Sequence, residues 1–221
     1  MSPPDDIDLT RPQFVGAKVM RREDPRLLAG QGNYVADIKR HGMVHIAFRR
    51  SDHAHALIKS VDVSAAQALD GVVGVYTGAD IAALANPYQA TSRMKNYQAT
   101  FIPPLALDKV RYVGEAVVAV VASSRYVAED ALARIEIEYE ALPVLVDPEE
   151  SLKPDAPKLH DDLESNILAA REFSRGEVDE AFAAAAQTAG GRFHFTRTTP
   201  VTIEARASVA EYDKGARSLT L

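Results

Sequence analysis

The stretch VRYVGEAVVAVVASSRYVAEDALARIEIEYEALPVLVD, from Val110 to Asp147, decides how the rest of the chain is read. Within it Ala116 to Ala122 is a short, nearly uninterrupted apolar run, rich in valine and entered through Gly114. Such a run suits a strand buried on both faces. Ser123 and Ser124 follow where a helix needs a cap, because a serine hydroxyl accepts from the first free backbone N–H groups. Beyond them Val127, Ala128, Ala131, Leu132 and Ile135 recur at helical spacing and form one apolar stripe. Ile135-Glu136-Ile137-Glu138-Tyr139-Glu140 then alternates strictly, the pattern of a half-buried strand with its carboxylates in water. The unit is strand, helix, strand, and its crossover is too short to show whether the two strands run parallel.

Upstream, Met43 to Arg50 alternates, with Val44, Ile46 and Phe48 on one side and His45, Ala47 and Arg49 on the other. A second strand is expected from about Ala56 to Val63. Ser64 then caps a short helix, AAQALD, which Gly71 ends at a favourable C′ position. Val72 to Tyr76 forms another strand, closed by Thr77-Gly78. Residues 80–108 hold a helical turn and a long polar loop, NPYQATSRMKNYQATFIPP, of a length that is usually functional or partner-facing. Residues 1–19 read as a flexible arm, with Pro3, Pro4 and Pro12 discouraging regular structure. Arg21 to Asp37 is turn-rich. Gly30-Gln31-Gly32 lacks the third glycine and preceding strand of a dinucleotide fingerprint, so it reads as a turn.

Downstream, Asp147 to Arg175 carries Pro148, Pro154 and Pro157 among acidic residues and reads as a linker. A short helix is expected at Glu177 to Ala186, ended by Gly190-Gly191. Strands are expected at Gly191–Thr196 and Ile203–Asp213. Asp213-Lys214-Gly215 has turn chemistry, and Arg217 to Leu221 begins the return strand of a hairpin. That return strand is expected to belong to a sheet which this chain does not finish.

The 221 residues suffice for one large domain or two small ones. With 47% hydrophobic and 25% charged residues, the composition is that of a soluble globular protein. A net charge of -6 gives no electrostatic reason to expect nucleic acid or an anionic membrane as partner. The absence of cysteine excludes disulfides, thiolate zinc sites and cysteine-ligated iron–sulfur clusters from these residues. No run approaches the eighteen or so apolar residues of a membrane span. The acidic, proline-rich start is no signal peptide, and Arg21-Arg22 is followed by Glu23, Asp24 and Pro25 rather than by an apolar run. A cytoplasmic location is the expectation.

Candidate chemical residues each have a plainer reading. His53 and His55 lie two apart, and His41 and His45 four apart, but no acidic residue is spaced as a third ligand. Ordinary polar packing accounts for them. Glu136, Glu138 and Glu140 share one strand face and read as a solvated surface rather than an acid–base group. Glu115 follows a glycine and precedes the buried run, so pointing inward it must be paired or have a raised pKa. A hydrogen bond to loop backbone is expected of it. Ser51 and Ser123-Ser124 have no nucleophile-elbow glycines, and no GxxxxGK[ST] phosphate loop occurs. The residues alone give a fold and no active site.

Taken together, several of these segments resemble the large subunit of the molybdenum hydroxylases, the xanthine dehydrogenase, aldehyde oxidase and aerobic carbon monoxide dehydrogenase relatives. Arg21 to Leu28, with Gly30, Gly32, Tyr34 and Asp37, is similar to that family's opening. Arg50-Ser51-Asp52-His53-Ala54-His55-Ala56 is similar to its RSPHAHA stretch, with Asp52 in place of proline. Gly71 to Asp80, Lys109 to Asp147 with its Val-Gly-Glu turn, and Gly176 to Phe182 continue the resemblance, with Ala116 standing where proline is usual. Ile203-Glu204-Ala205-Arg206-Ala207 departs from the family's Met-Glu-Pro-Arg-Gly turn.

The resemblance implies an α+β fold. Residues 20–147 would be an α/β hammerhead domain of mixed strands with two main short helices. Residues 148–176 would be a linker, and residues 177–221 the start of a truncated, incomplete molybdopterin-binding domain. It implies a parent reaction of oxidative hydroxylation of an aldehyde, N-heterocycle or CO-like substrate at a molybdenum–pterin centre. Iron–sulfur and FAD subunits, or a chain carrying the rest of the large subunit, would be partners. The family's glycine-rich cofactor loops and late catalytic glutamate have no counterpart here. No catalytic, cofactor-binding or metal residue is therefore assigned, and the chain alone is expected to be inactive and to bind no molybdopterin. The alternative is a non-catalytic assembly module pairing with a separate cofactor-binding chain.

Overall fold

A computed structural model of the chain describes residues 19–221, so the expected arm falls almost wholly outside the described residues. The elements run α1 (Asp24–Leu28), β1 (His45–Arg50), β2 (Ala56–Asp62), α2 (Ser64–Gln67), β3 (Val72–Thr77), α3 (Gly78–Ala82), β4 (Tyr88–Gln89) and β5 (Phe101–Ile102). They continue with β6 (Lys109–Val110), β7 (Ala116–Ala122), α4 (Arg125–Leu132), β8 (Glu136–Ala141), α5 (Val178–Ala184), β9 (Glu211–Asp213) and β10 (Ser218–Thr220). The fold is α+β with small antiparallel sheets. Two compact units form: Gly42–Arg192, and the described residues up to His41 together with Phe193–Leu221.

In the larger unit β7 is the centre of a three-stranded sheet, order β1-β7-β3, antiparallel on both sides. Its Val117, Val118 and Val120 are fully buried, each contributing about 1.5–3 kcal/mol of hydrophobic stabilisation. Ser124 caps α4 as the sequence leads one to expect, its side chain accepting from the Val127 N–H at 3.2 Å. Ala128 and Ala131 are completely buried, and their small side chains let α4 lie close to the sheet. The two strands flanking α4 do not share a sheet. β8 pairs with β2 in a second antiparallel sheet, order β6-β2-β8, and Ile58, Val61, Ile137 and Tyr139 pack from it against the common core.

The structure settles details that the sequence left open and differs from its expectation in others. On β1 the half-buried side is His45, Ala47 and Arg49, while Ile46 and Phe48 face outward, 59% and 41% exposed. Ala47 packs against the core beneath α4, where a small residue suits the close approach. Helix α2 spans four residues, and Asp62 rather than Ser64 serves its start, accepting from the Ser64 N–H at 2.9 Å. The long loop after α3 is not structureless, since β4 and β5 pair within it. Gly191–Thr196 forms no strand, and Ile203–Asp213 contracts to Glu211–Asp213, because a strand persists only where a ladder satisfies its backbone. The hairpin β9–β10 does form. Asp213 Oδ1 accepts from the N–H groups of Gly215 and Ala216 at 2.7 and 3.0 Å, closing its turn.

Gly78 is buried at the start of α3, where a Cβ would come 2.3 Å from the Ala106 carbonyl oxygen. Only glycine permits that approach. Thr77 and Asp80 cap α3 reciprocally. Residues 157–168 lie along the same unit as a strap. Gln98 accepts from the Glu164 N–H at 3.1 Å and donates to the Ile167 carbonyl at 2.8 Å, and Leu163 is buried. In the smaller unit, Val35 N–H donates to Glu204 at 2.8 Å and Arg40 pairs with Glu211. Gly30, at φ 71°, reverses the chain after α1, in keeping with a turn.

Candidate functional site

Three of the chemistry-bearing residues singled out in the sequence, Ser51, His55 and Glu115, lie where β1 leaves the first sheet and β2 enters the second. Ser51 extends the pairing of β1: its N–H donates to the Glu115 carbonyl, and the Gly114 N–H donates to the Ser51 carbonyl, both at 2.8 Å. Gly114 reaches this position with φ 94°, the left-handed region that glycine occupies without strain. Arg50 Nη1 donates to the Gly114 carbonyl at 2.9 Å. The Ser51 hydroxyl accepts from the His53 N–H at 3.0 Å, folding 51–55 into a turn.

Four polar residues are deeply buried there: Ser51, His55, Lys109 and Glu115, at 3%, 4%, 4% and 6% exposure. Glu115 points inward and makes the backbone hydrogen bond expected of it, accepting from the Arg111 N–H at 2.6 Å. Burial still outweighs that bond and the Arg111 charge, so its carboxyl is raised above the ordinary range. His55 Nδ1 lies 2.8 Å from the Pro143 carbonyl and therefore carries the hydrogen, while its Nε2 is buried without a partner. Lys109 pairs with Asp161 of the strap, and Arg111 Nη1 donates to the Lys109 carbonyl at 3.1 Å. The hydrogen bond that Lys109 donates, with its charge, holds the Asp161 carboxyl below its usual value. His160, beside Arg111 and Lys109, is lowered mainly by burial and then by those cations. Tyr139 stacks its ring 4.7 Å from that of His53, and burial raises its phenol.

The cluster's hydrogen bonds tie the link between β1 and β2 to the turn before β7 and to Pro143 after β8. The Glu115 carboxylate is turned to its own loop. The cleft of about 610 Å³ formed by Ser92–Asn96 with Ala170–Glu172 includes none of the cluster. Arg49 Nε, Arg111 Nε and Tyr139 Oη are, with His55 Nε2, buried polar atoms lacking a protein partner, and ordered water is the usual occupant of such positions. Sequence reading flagged Glu115, His55 and Ser51. It missed Arg49, and it missed Lys109, Arg111 and Asp161, whose grouping depends on a strap far along the chain.

The remaining candidates are surface groups. Glu140 accepts from Lys59 Nζ at 3.0 Å and Glu138 from the Ser60 hydroxyl at 3.2 Å, cross-strand contacts on an exposed face. His53 stacks on Tyr139 and His55 is turned to Pro143, so the pair shares no ligand position. Among the described residues no three His, Cys, Asp or Glu side chains gather as a metal site, and no helix is long and apolar enough to cross a membrane. From Arg171 to Leu221 every residue but Val209 is exposed, so the described residues there form no enclosed polar cradle that fits a pterin.

Residues 29–143 match the family model described as "Aldehyde oxidase and xanthine dehydrogenase, a/b hammerhead domain", and residues 159–221 match the molybdopterin cofactor-binding domain. The chain is 40% identical over 222 residues to the carbon monoxide dehydrogenase large chain of Afipia carboxidovorans, covering 95% of this chain and 27% of that one. It is 40% identical over 212 residues to the nicotine 6-hydroxylase large subunit of Paenarthrobacter nicotinovorans, covering 96% and 25%. The crystal structure of quinoline 2-oxidoreductase from Pseudomonas putida 86 superposes with a TM-score of 0.85 at 42% identity, covering 92% of this chain and 26% of that one. The chain spans about a quarter of the length of the carbon monoxide dehydrogenase and nicotine 6-hydroxylase relatives.

Proposed function

From the premise that this chain belongs to the aldehyde oxidase and xanthine dehydrogenase family, we propose that it works as the hammerhead-bearing part of a molybdenum hydroxylase large subunit. Residues 20–147 would supply the hammerhead, 148–176 the connection and 177–221 the opening of the cofactor-binding region. The parent reaction is oxidative hydroxylation of an aldehyde, an N-heterocycle or a CO-like substrate. The molybdenum–pterin group would supply that chemistry from polypeptide other than these described residues. Iron–sulfur and FAD partners would carry the electrons, in the cytoplasm.

The observation that carries this reading is the order of the two family matches along one chain, hammerhead first and cofactor-binding domain second. The geometry supports a structural role for this part. Its buried polar groups are engaged in joining strands, and its exposed apolar residues, Phe193, Phe195 and Ile203 among them, await a covering surface. The test is activity of the purified chain alone with a dye acceptor and aldehyde, N-heterocycle or CO. No turnover is expected, and turnover by the lone chain would refute the assignment of the chemistry elsewhere.

A further inference from the structure

Asp70-Gly71 is the one Asp-Gly pair in the sequence, and no asparagine is followed by glycine. The pair forms the centre of the turn between α2 and β3, which the Val72 N–H closes by donating to the Leu69 carbonyl at 3.1 Å. Gly71 takes φ 89°, the left-handed conformation that a tight turn asks of glycine. Both residues are exposed. Because the turn's hydrogen bond uses the flanking residues, the Gly71 N–H has no acceptor among the described residues. The Asp70 carboxylate, too, has neither a hydrogen bond nor an ion pair among them. An amide nitrogen and the carboxyl it can attack therefore lie side by side, and nothing described engages either.

We infer that Asp70 is a modification site, at which the folded chain converts aspartate to isoaspartate through a cyclic imide with Gly71. The Gly71 nitrogen attacks the side-chain carboxyl carbon of Asp70, and a C–N bond forms. The nitrogen loses its proton, the carboxyl hydroxyl leaves as water, and a five-membered succinimide remains. Water then adds to the former backbone carbonyl carbon, whose bond to the Gly71 nitrogen breaks as that nitrogen is displaced. The main chain now runs through the old side chain, one methylene longer, and the old backbone carbonyl is a free carboxylate. The water lost is regained, so no co-reactant is needed. Glycine favours the attack because no side chain crowds the nitrogen.

The turn is a sensitive place for an added methylene. The Gly71 carbonyl accepts from the Ser123 N–H at 2.8 Å, and a Cβ on Gly71 would come 2.8 Å from the Ser123 hydroxyl. Val72, the next residue, opens the pairing of β3 with β7 opposite Ala122. β3 is an edge of its sheet and pairs with β7 alone. A longer main chain between Leu69 and Val72 cannot keep the turn, the Ser123 bond and this register together. Isomerisation therefore loosens the β3 edge and links the chemical age of the chain to the closure of its main sheet. The inference is independent of the function proposed above.

The 24.0 kDa chain is aged at physiological temperature and neutral pH. Isoaspartate is read by methyl transfer from an isoaspartyl methyltransferase and by peptide mapping, where it gives a mass-neutral shift in retention. The expected result is a progressive shift of the peptide holding Asp70, ahead of every other aspartate-containing peptide. D70N reaches the same imide by releasing ammonia and should isomerise faster than the wild type. D70E would need a six-membered ring, and its peptide should stay unshifted. In the aged wild-type fraction the Ser123 amide should lose protection from hydrogen exchange, while the β1–β7 pairing keeps it. A synthetic peptide of residues 66–75 sets the unfolded rate. If that peptide isomerises and the folded chain does not, the fold shields Asp70 and the inference is overturned. Earlier isomerisation at another aspartate, or unchanged protection of Ser123 in the isomerised fraction, would overturn it as well.

Discussion

Glu115 is nearly inaccessible and its carboxylate has one backbone donor, so charge is the expensive part of the residue and the acceptor oxygen the useful part. Glu115→Gln keeps an oxygen for the Arg111 N–H and should change stability by no more than about 1 kcal/mol at pH 7. Glu115→Ala removes the acceptor and should cost about 2–3 kcal/mol. Urea denaturation compares them, and equal losses would mean that the charge itself holds the turn. Because the folded-state pKa of Glu115 is raised, the folded chain binds its proton more readily than the unfolded one. Its contribution therefore improves as pH falls through the folded value, and Glu115→Gln should remove that slope. Gly78→Ala should cost about 1–3 kcal/mol by overpacking, since the Ala106 carbonyl belongs to backbone and cannot swing aside. Glu115 was legible in the sequence because a carboxylate before a valine run has few ways to be satisfied. Gly78 was read only as closing a strand, for its close neighbour lies in a loop that no local pattern places.

Among the elements, the strap at 157–168 is held by polar contacts. Asp161→Ala strands the buried Lys109 ammonium and should destabilise the unit more than Lys109→Met, which removes a buried charge and fills the same space with carbon. The reverse order in thermal unfolding would show that the pair contributes nothing as a pair. Asp161 and His160 both have lowered folded-state pKa values, so their stabilisation is present above the unfolded values and lost as pH falls through the folded ones. For His160 that window opens below pH about 6.5. Relative to the intrinsic exchange rate at each pH, the amides of Gln98 and Leu163 should accordingly lose protection at pH 5 compared with pH 7.5, while β7 stays protected. The central strand and its helix were readable because β7 is buried on both faces and α4 presents one stripe, patterns set by local sequence. The outward face of β1 was not, because alternation separates two faces without saying which one the helix covers. The division of the two strands around α4 between two sheets escaped for a similar reason: pairing partners come from distant segments.

Across the whole molecule, resemblance carried more of the functional reading than any single residue. The family matches at 29–143 and 159–221 take in most of the segments that carry the resemblance, whereas composition, charge and isolated motifs supply only exclusions. Packing is uneven: among the described residues, the buried ones lie between Ser51 and Leu163. Hydrogen exchange of the isolated chain should therefore show protection concentrated between β1 and β8 and little from Arg171 onward, and uniform protection would contradict the exposed arrangement of that region. The proposed role, service to a molybdenum hydroxylase whose metal centre is held by other polypeptide, is checked by metal mass spectrometry on the chain purified gently from its source with its partners. Molybdenum should accompany the chain through the intact complex and leave with the other polypeptide when the complex is taken apart. Molybdenum retained by the separated 24.0 kDa chain, or missing from every fraction that contains it, would contradict the account.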